Sequence, residues 1–323
     1  MVISLTLFLL FWSILLKGEN VILSEDTIAR IPVFKIHTIP EINAKGTEFC
    51  PVVWGNKLVF VSEKEIDLIN YGESGYNKQS YLSIQYSDIQ YNDGQLSYST
   101  PKLFSNRMAL LLHTGPISFS EKENYAVFTQ VKYFREEGVK VYRPQLYSAA
   151  FEKNQWKDIQ LLNINNPKYS FAHPALSYDG NTLYFVSNME GGYGGKDIYV
   201  SVKSSDGGWG PPENLGPGIN TPGNEVFPYV YNDSLFFFSS DGRNGYGGLD
   251  LYFSRIKEGK PAEVIHPDSS INSNADDFGF FLDAGGKSGY FSSNRSGGLG
   301  SDDIYSVSIS WVAPENQNQN LRG

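Results

Sequence analysis

Apolar residues in this chain come in short blocks bounded by Gly, Asn, Asp and Ser. "LYFVS" (183–187) and "LFFFSS" (235–240) are nearly continuous, as in strands buried on both faces. No long window repeats apolar positions at helical spacing. Between the blocks lie turn signals such as Asp179-Gly180-Asn181 and Asp206-Gly207-Gly208. The pattern predicts an all-β chain of many short strands.

The blocks repeat. "YGGKDIYVS" (193–201) returns as "YGGLDLYFS" (246–254) and more loosely as "LGSDDIYSV" (299–307), so that Asp197, Asp250 and Asp303 stand 53 residues apart. Segments upstream match as well: "HPALSYDGNTLYFVSN", "FPYVYNDSLFFFSSD" and "GFFLDAGGKSGYFSSN". Two divergent copies precede them, "CPVVWGNKLVFVS" (50–62) and "GPISFSEKENYAVFT" (115–129). Aligning the ends of the second strand gives Ser62, Thr129, Ser187, Ser239 and Ser292. Each unit reads as strand A, a turn, strand B, a glycine-rich loop, strand C, a turn and a Trp-led strand D (Trp156, Trp209), which is one propeller blade. "RIPVFKIHT" (30–38) has no A to C strands of its own and is expected to complete the last unit as its strand D. The prediction is a five-bladed β-propeller. Six blades are the alternative, if a unit hides between 62 and 129.

The glycine-rich loops resemble phosphate cradles without meeting their rules. A Walker-type loop ending at Gly195-Lys196 needs glycine where Glu190 stands and a hydroxyl residue where Asp197 stands, and the chain then enters a strand instead of a helix. The repeated acids Asp197, Asp250 and Asp303 are expected to cap amides in their own loops.

The stretch "WGPPENLGPGINTPGNEVFPYVYNDSLFFFSSDGRNGYGGLDLYFS" (209–254) resembles the WD40-like β-propeller repeat of bacterial envelope proteins, especially the copies in Bacteroidetes. The resemblance covers about residues 30–310. In that family such propellers commonly precede an OmpA-like peptidoglycan-binding domain or serve type IX secretion and gliding. It implies an exported, TolB-like protein of the periplasm or outer-membrane periphery that binds an envelope protein or a glycan, alone or in a hetero-complex. Here the residues after Trp311, "VAPENQNQNLRG", are expected to form a disordered polar tail, and no cell-wall anchor is expected from them.

Charge and composition narrow the partners. The formal charge is −9 and the pI about 5.0, without the basic stripe that nucleic acid demands. The uncharged run Val2–Leu16 fits the apolar core of an export signal over 1–20, with an uncleaved anchor as the alternative and the sole membrane contact expected. Residues 21–310 then form the propeller and 311–323 a polar tail. Cys50 is the single cysteine, so no internal disulfide exists.

Propeller geometry places the B–C loops and D–A connections on one face. Just before strand A stand Glu48, His113, Phe171, Glu225 and Asp277, an expected partial acidic ring at the channel mouth that could hold a divalent cation. No cofactor is otherwise expected. Around it Tyr193, Lys196, Arg243, Tyr246 and Arg295 form an expected binding rim. Three functions follow: a non-enzymatic scaffold binding through the loop face, a propeller glycoside hydrolase using channel carboxylates, or a lectin-like sugar binder. Recurrence of the acids at equivalent positions favours the first, because a glycosidase needs unlike acids in unlike environments. Glu63, Glu65 and Asp67 are the acids that do not recur.

Overall fold

The computed structural model describes residues 31–66, 79–92, 95–109, 112–120, 124–257 and 259–312. The expected export signal (1–20) and Asp67 lie outside them. Every regular element among the described residues is a strand, and the strands form five antiparallel blades.

The chain enters through β1 (Ile31–Thr38). Blade one is β2 (Glu48–Trp54), β3 (Lys57–Ile66) and β4 (Gln79–Asn92), with β5 (Gln95–Tyr98) and β6 (Lys102–Leu103) both pairing to β4. Blade two is β7 (Thr114–Ser120), β8 (Tyr125–Glu136), β9 (Val139–Glu152) and β10 (Gln155–Leu161). Blade three is β11 (Phe171–Leu176), β12 (Thr182–Ser187), β13 (Asp197–Val202) and β14 (Glu213–Asn214). Its strand D is reduced to two residues, and Trp209 makes an isolated bridge to Lys203 instead of leading it. Blade four is β15 (Glu225–Tyr231), β16 (Leu235–Ser240), β17 (Asp250–Lys257) and β18 (Lys260–Ile265). Blade five is β19 (Asp277–Leu282), β20 (Ser288–Ser293) and β21 (Asp303–Val312), completed by β1 in the register Ile31↔Val312 to Thr38↔Tyr305. The expected N-terminal closure is therefore present, and among the described residues the stretch between 62 and 129 holds no sixth blade. Strand β21 runs two residues past the expected boundary at 310, and Trp311 donates its indole N–H to the Gly286 carbonyl at 2.8 Å.

The cores lie between blades. Phe237 and Phe253 of blade four pack with Phe280, Phe291 and Tyr305 of blade five and with Phe34 of β1. A fully buried phenylalanine stabilises such a seam by about 1.5–3 kcal/mol, which explains the aromatic density of strand B.

A backbone joint repeats between blades. Each glycine-rich loop lies beside the connection entering the next strand A, with Lys196 O accepting from Glu225 N (2.8 Å), Leu249 O from Asp277 N (2.6 Å) and Asp302 O from Glu48 N (2.9 Å). A second bond accompanies each: Gly195 N to Gly223 O, Gly248 N to Ala275 O and Ser301 N to Gly46 O. The third pair links blade five to blade one, so the ring closes both here and through β1. Glycine is required where the strips touch. A Cβ on Gly194, Gly247 or Gly300 would collide with the backbone carbonyl of Gly223, Ala275 or Gly46.

Candidate functional site

The first residue of each strand A faces a fixed partner on strand B: Glu48↔Ser62, Thr114↔Gln130, Phe171↔Ser187, Glu225↔Ser240 and Asp277↔Ser293. These partners lie one residue beyond the expected strand-B ends Thr129, Ser239 and Ser292 in blades two, four and five, and in blades one and two strand B runs on past Ser62 and Thr129 to Ile66 and Glu136. Apolar runs such as "LFFFSS" lack the alternation that would fix register. The ring position in blade two is consequently Thr114. His113 stands outside it, its Nδ1 accepting from Leu82 N at 3.2 Å.

The three ring acids are buried and bonded to their own loops. Glu225 accepts from Thr221 N (2.7 Å), Thr221 Oγ1 (2.6 Å) and Ser240 Oγ (2.7 Å). Asp277 accepts from Ser273 N (2.5 Å), Ser273 Oγ (2.9 Å) and Arg295 (2.5 Å). Glu48 accepts from Ala44 N (2.8 Å) and Ser62 Oγ (2.9 Å). Each carboxylate thus closes the D–A connection by reaching the residue four positions upstream. Burial pushes the Glu48 carboxyl up, against the opposing pull of those donors. These are separate loop locks, and among the described residues no group of three or more His, Cys, Asp or Glu is placed to hold a metal ion.

The second set of acids closes the glycine loops. Asp197 accepts from Tyr193 N (2.6 Å) and Gly194 N (3.1 Å), Asp250 from Tyr246 N (2.6 Å) and Asp303 from Leu299 N (2.7 Å). Gly192, Gly245 and Gly298 leave the space these carboxylates occupy. Asn214 also donates to Asp197 at 2.8 Å. In blade four the corresponding place is taken by His266, which stacks on Tyr252 with its Nε2 3.9 Å from Asp250. Burial raises the Asp250 carboxyl and lowers the His266 imidazole.

The rim residues separate into two kinds. Arg243 and Arg295, expected on the binding rim, reach neighbouring loops as latches. Arg243 donates to the carbonyls of Gly218 (2.8 Å) and Ile219 (2.9 Å), Arg295 to that of Ile271 (2.5 Å), and each guanidinium lies over two aromatic rings of its own blade. Arginine offers several donors and a flat stacking face, so it can bind a neighbouring loop as readily as a ligand. Tyr193 and Tyr246 do point outward, each 49 % exposed, and Leu299 at the same loop position is 58 % exposed. Lys196 is exposed, while its carbonyl serves the joint.

At mid-channel the structure holds something the sequence reading missed. Strand A of every blade shifts register at one place, and the shift contains a left-handed residue: Cys50 (φ 53°), Gly115 (111°), His173 (49°), Phe227 (52°) and Gly279 (63°). These are β-bulges directed at the axis. His173 stacks on Phe227 at 3.9 Å, Phe227 on Phe278 at 4.8 Å, and the void remaining there is about 40 Å³. The signal was legible: Cys50-Pro51, His173-Pro174 and Phe227-Pro228 place proline after a residue thereby steered away from right-handed helical angles. Burial, then the charge of Lys196, pushes the His173 imidazole down to about 3.

Beyond this pinch the channel widens at the A–B turn face into a cavity of about 620 Å³. Trp54, Phe119, Tyr178, Tyr229, Tyr231 and Phe281 line it, and among the described residues Asp283 is the one carboxylate in its lining. Asp283 accepts from Ser288 Oγ at 2.5 Å inside its own turn.

No family model matches the chain, and no curated protein sequence matches it significantly. Among solved structures, three are similar over most of this chain. TolB from Acinetobacter baumannii is 18 % identical with a TM-score of 0.39 over 72 % of this chain, which spans 47 % of that one. A protein of unknown function from Dyadobacter fermentans is 12 % identical (TM-score 0.45, 87 % of this chain and 100 % of that one). A xylan β-1,4-xylosidase from Bacillus halodurans is 14 % identical (TM-score 0.45, 84 % and 53 %). Each of these activities belongs to the protein named.

Proposed function

We propose that this chain is a non-enzymatic binding protein that holds a partner on the glycine-loop face of its propeller. One observation carries the reading. Three successive blades present an exposed apolar side chain at the same loop position, Tyr193, Tyr246 and Leu299, while the carboxylates beneath are taken up by their own loops. Rigid aromatic side chains on a fixed rim suit recognition. Glycoside hydrolysis needs two carboxyl groups facing one space about 5–10 Å apart. Glu48, Glu225 and Asp277 lie in separate loop locks, and among the described residues the wide cavity offers Asp283 alone. The apolar run Val2–Leu16 and the resemblance to WD40-like envelope propellers support an exported protein whose partner is an envelope protein or glycan.

The test is affinity capture from envelope fractions with the wild type and a Tyr193→Ser/Tyr246→Ser/Leu299→Ser variant. The reading expects the specific partner to disappear with the variant while the melting temperature is unchanged. Equal recovery of every captured component would overturn it, as would turnover of a glycoside by the wild type that stops with Glu225→Gln.

A further inference from the structure

The B–C connection of blade two is unlike those of blades three to five. Strands β8 and β9 pair without interruption from Tyr125↔Ala150 to Glu136↔Val139, whereas β7 reaches β8 only as far as Gln130 and β10 reaches β9 only as far as Tyr147. Residues 131–136 and 139–144 therefore stand beyond the blade as a two-stranded ribbon. Two strands alone are marginal in water, and exposed edges are normally blunted or covered. This ribbon instead exposes Tyr133 (54 %), Tyr142 (53 %) and Val139 (65 %).

Its edges differ. Val131 donates its N–H to His113 O, toward the channel axis, so by the alternation of an antiparallel ladder Tyr133 and Arg135 direct their backbone groups to the same side. Among the described residues nothing pairs with those groups. The outer edge carries Pro144, which has no N–H to offer, and Arg143 reaches from β9 to the Pro167 carbonyl at its base. The ribbon is also basic on an acidic chain: Arg143 pairs with Glu136 at 2.6 Å, leaving Lys132, Arg135 and Lys140 against Glu137, with a formal charge of −9 overall. Tyr133 and Tyr142 lie opposite each other, with ring centroids 6.5 Å apart, and Arg135↔Lys140 is the next pair on that face.

We infer that the inner edge of this ribbon is a docking strand for an acidic, extended segment of a partner protein, which adds to β8 at Tyr133 and Arg135 and covers the two tyrosines. Main-chain pairing would supply the affinity, and the flanking cations the preference for acidic sequence. The inference rests on the reading of this face as the binding face and names a partner for one part of it.

The probes are an acetylated eight-residue peptide alternating Glu and Val and its Lys/Val counterpart, each fluorescently tagged and titrated against the full chain. The Glu/Val peptide should bind about ten-fold more tightly at low ionic strength and lose that advantage in high salt. It should also slow amide exchange at Tyr133 and Arg135. Arg135→Pro removes an outward N–H at a position of the kind Pro144 already occupies, so it should abolish binding with the circular dichroism unchanged. Arg135→Ala should keep the protection at Tyr133 with weaker affinity. Equal binding of the two peptides, absence of protection at those amides, or wild-type binding by Arg135→Pro would overturn the inference. The Tyr193/Tyr246/Leu299 variant leaves the ribbon untouched and should bind the peptide normally, so failure here and failure of rim-dependent capture are separate results.

Discussion

Blades three to five and blades one and two solve the same problem with different B–C connections. In the later blades a nine-residue glycine loop folds back onto the next blade, where a buried acid, a joint of backbone bonds and, in blades four and five, an arginine latch hold it. In blades one and two the corresponding strands run on: β3 pairs with β4 as far as Ile66↔Gln79, and β8 with β9 as far as Glu136↔Val139. Repetition marks the part of the face that closes the ring. Departure from repetition marks the part free to differ, and there backbone groups and tyrosines remain uncovered.

The comparison can be broken with the same substitution made on each side. Gly247→Ala drives a methyl into the Ala275 backbone and should cost about 3 kcal/mol in urea unfolding. Gly138→Ala, at the ribbon turn with φ +85° and nothing near its Cβ, should cost about 1 kcal/mol from backbone strain alone. Equal costs would remove the distinction between joint and ribbon.

A smaller effect comes from the pinch. The His173 imidazole is held down to about 3 in the folded chain, against about 6.5 when unfolded. Between those values the unfolded state binds the extra proton, so this group makes stability fall as pH drops through that window. The slope approaches about 1.4 kcal/mol per pH unit. Glu48, Asp250 and Asp302, whose carboxyls burial raises, act in the opposite direction at the acid end. The clean readout is therefore the difference between wild type and His173→Asn, a residue that tolerates positive φ. The variant should lose the slope between pH 6 and pH 4, and parallel curves would show that the imidazole is not enclosed. The smallest effect is expected at the ribbon, where Tyr133→Ser/Tyr142→Ser should change global stability by about 0.5 kcal/mol or less.

The loop acids and the closure were legible from the repeat: constant spacing exposed Asp197, Asp250 and Asp303, and "RIPVFKIHT", with no strands A to C of its own, exposed the closure by β1. The register at the end of strand B was not, since a run of apolar residues ending in two serines reads alike one residue either way. The latch bonds of Arg243 and Arg295 were not legible, because sequence shows that an arginine stands in a loop but not where it reaches. The ribbon had a signal in "VKYFREEGVKVYRP", alternating residues around Glu-Gly, which the repeat does not contain.

The account depends on the ring acids being loop locks and not reactive groups, and unfolding of Glu225→Ala measures this most directly. Removing a fully buried carboxylate strands the donors on Thr221 and Ser240, so urea denaturation should show a loss of about 2–3 kcal/mol. A variant as stable as the wild type, or more stable, would contradict the account and return Glu225 to the list of groups held in reserve for chemistry.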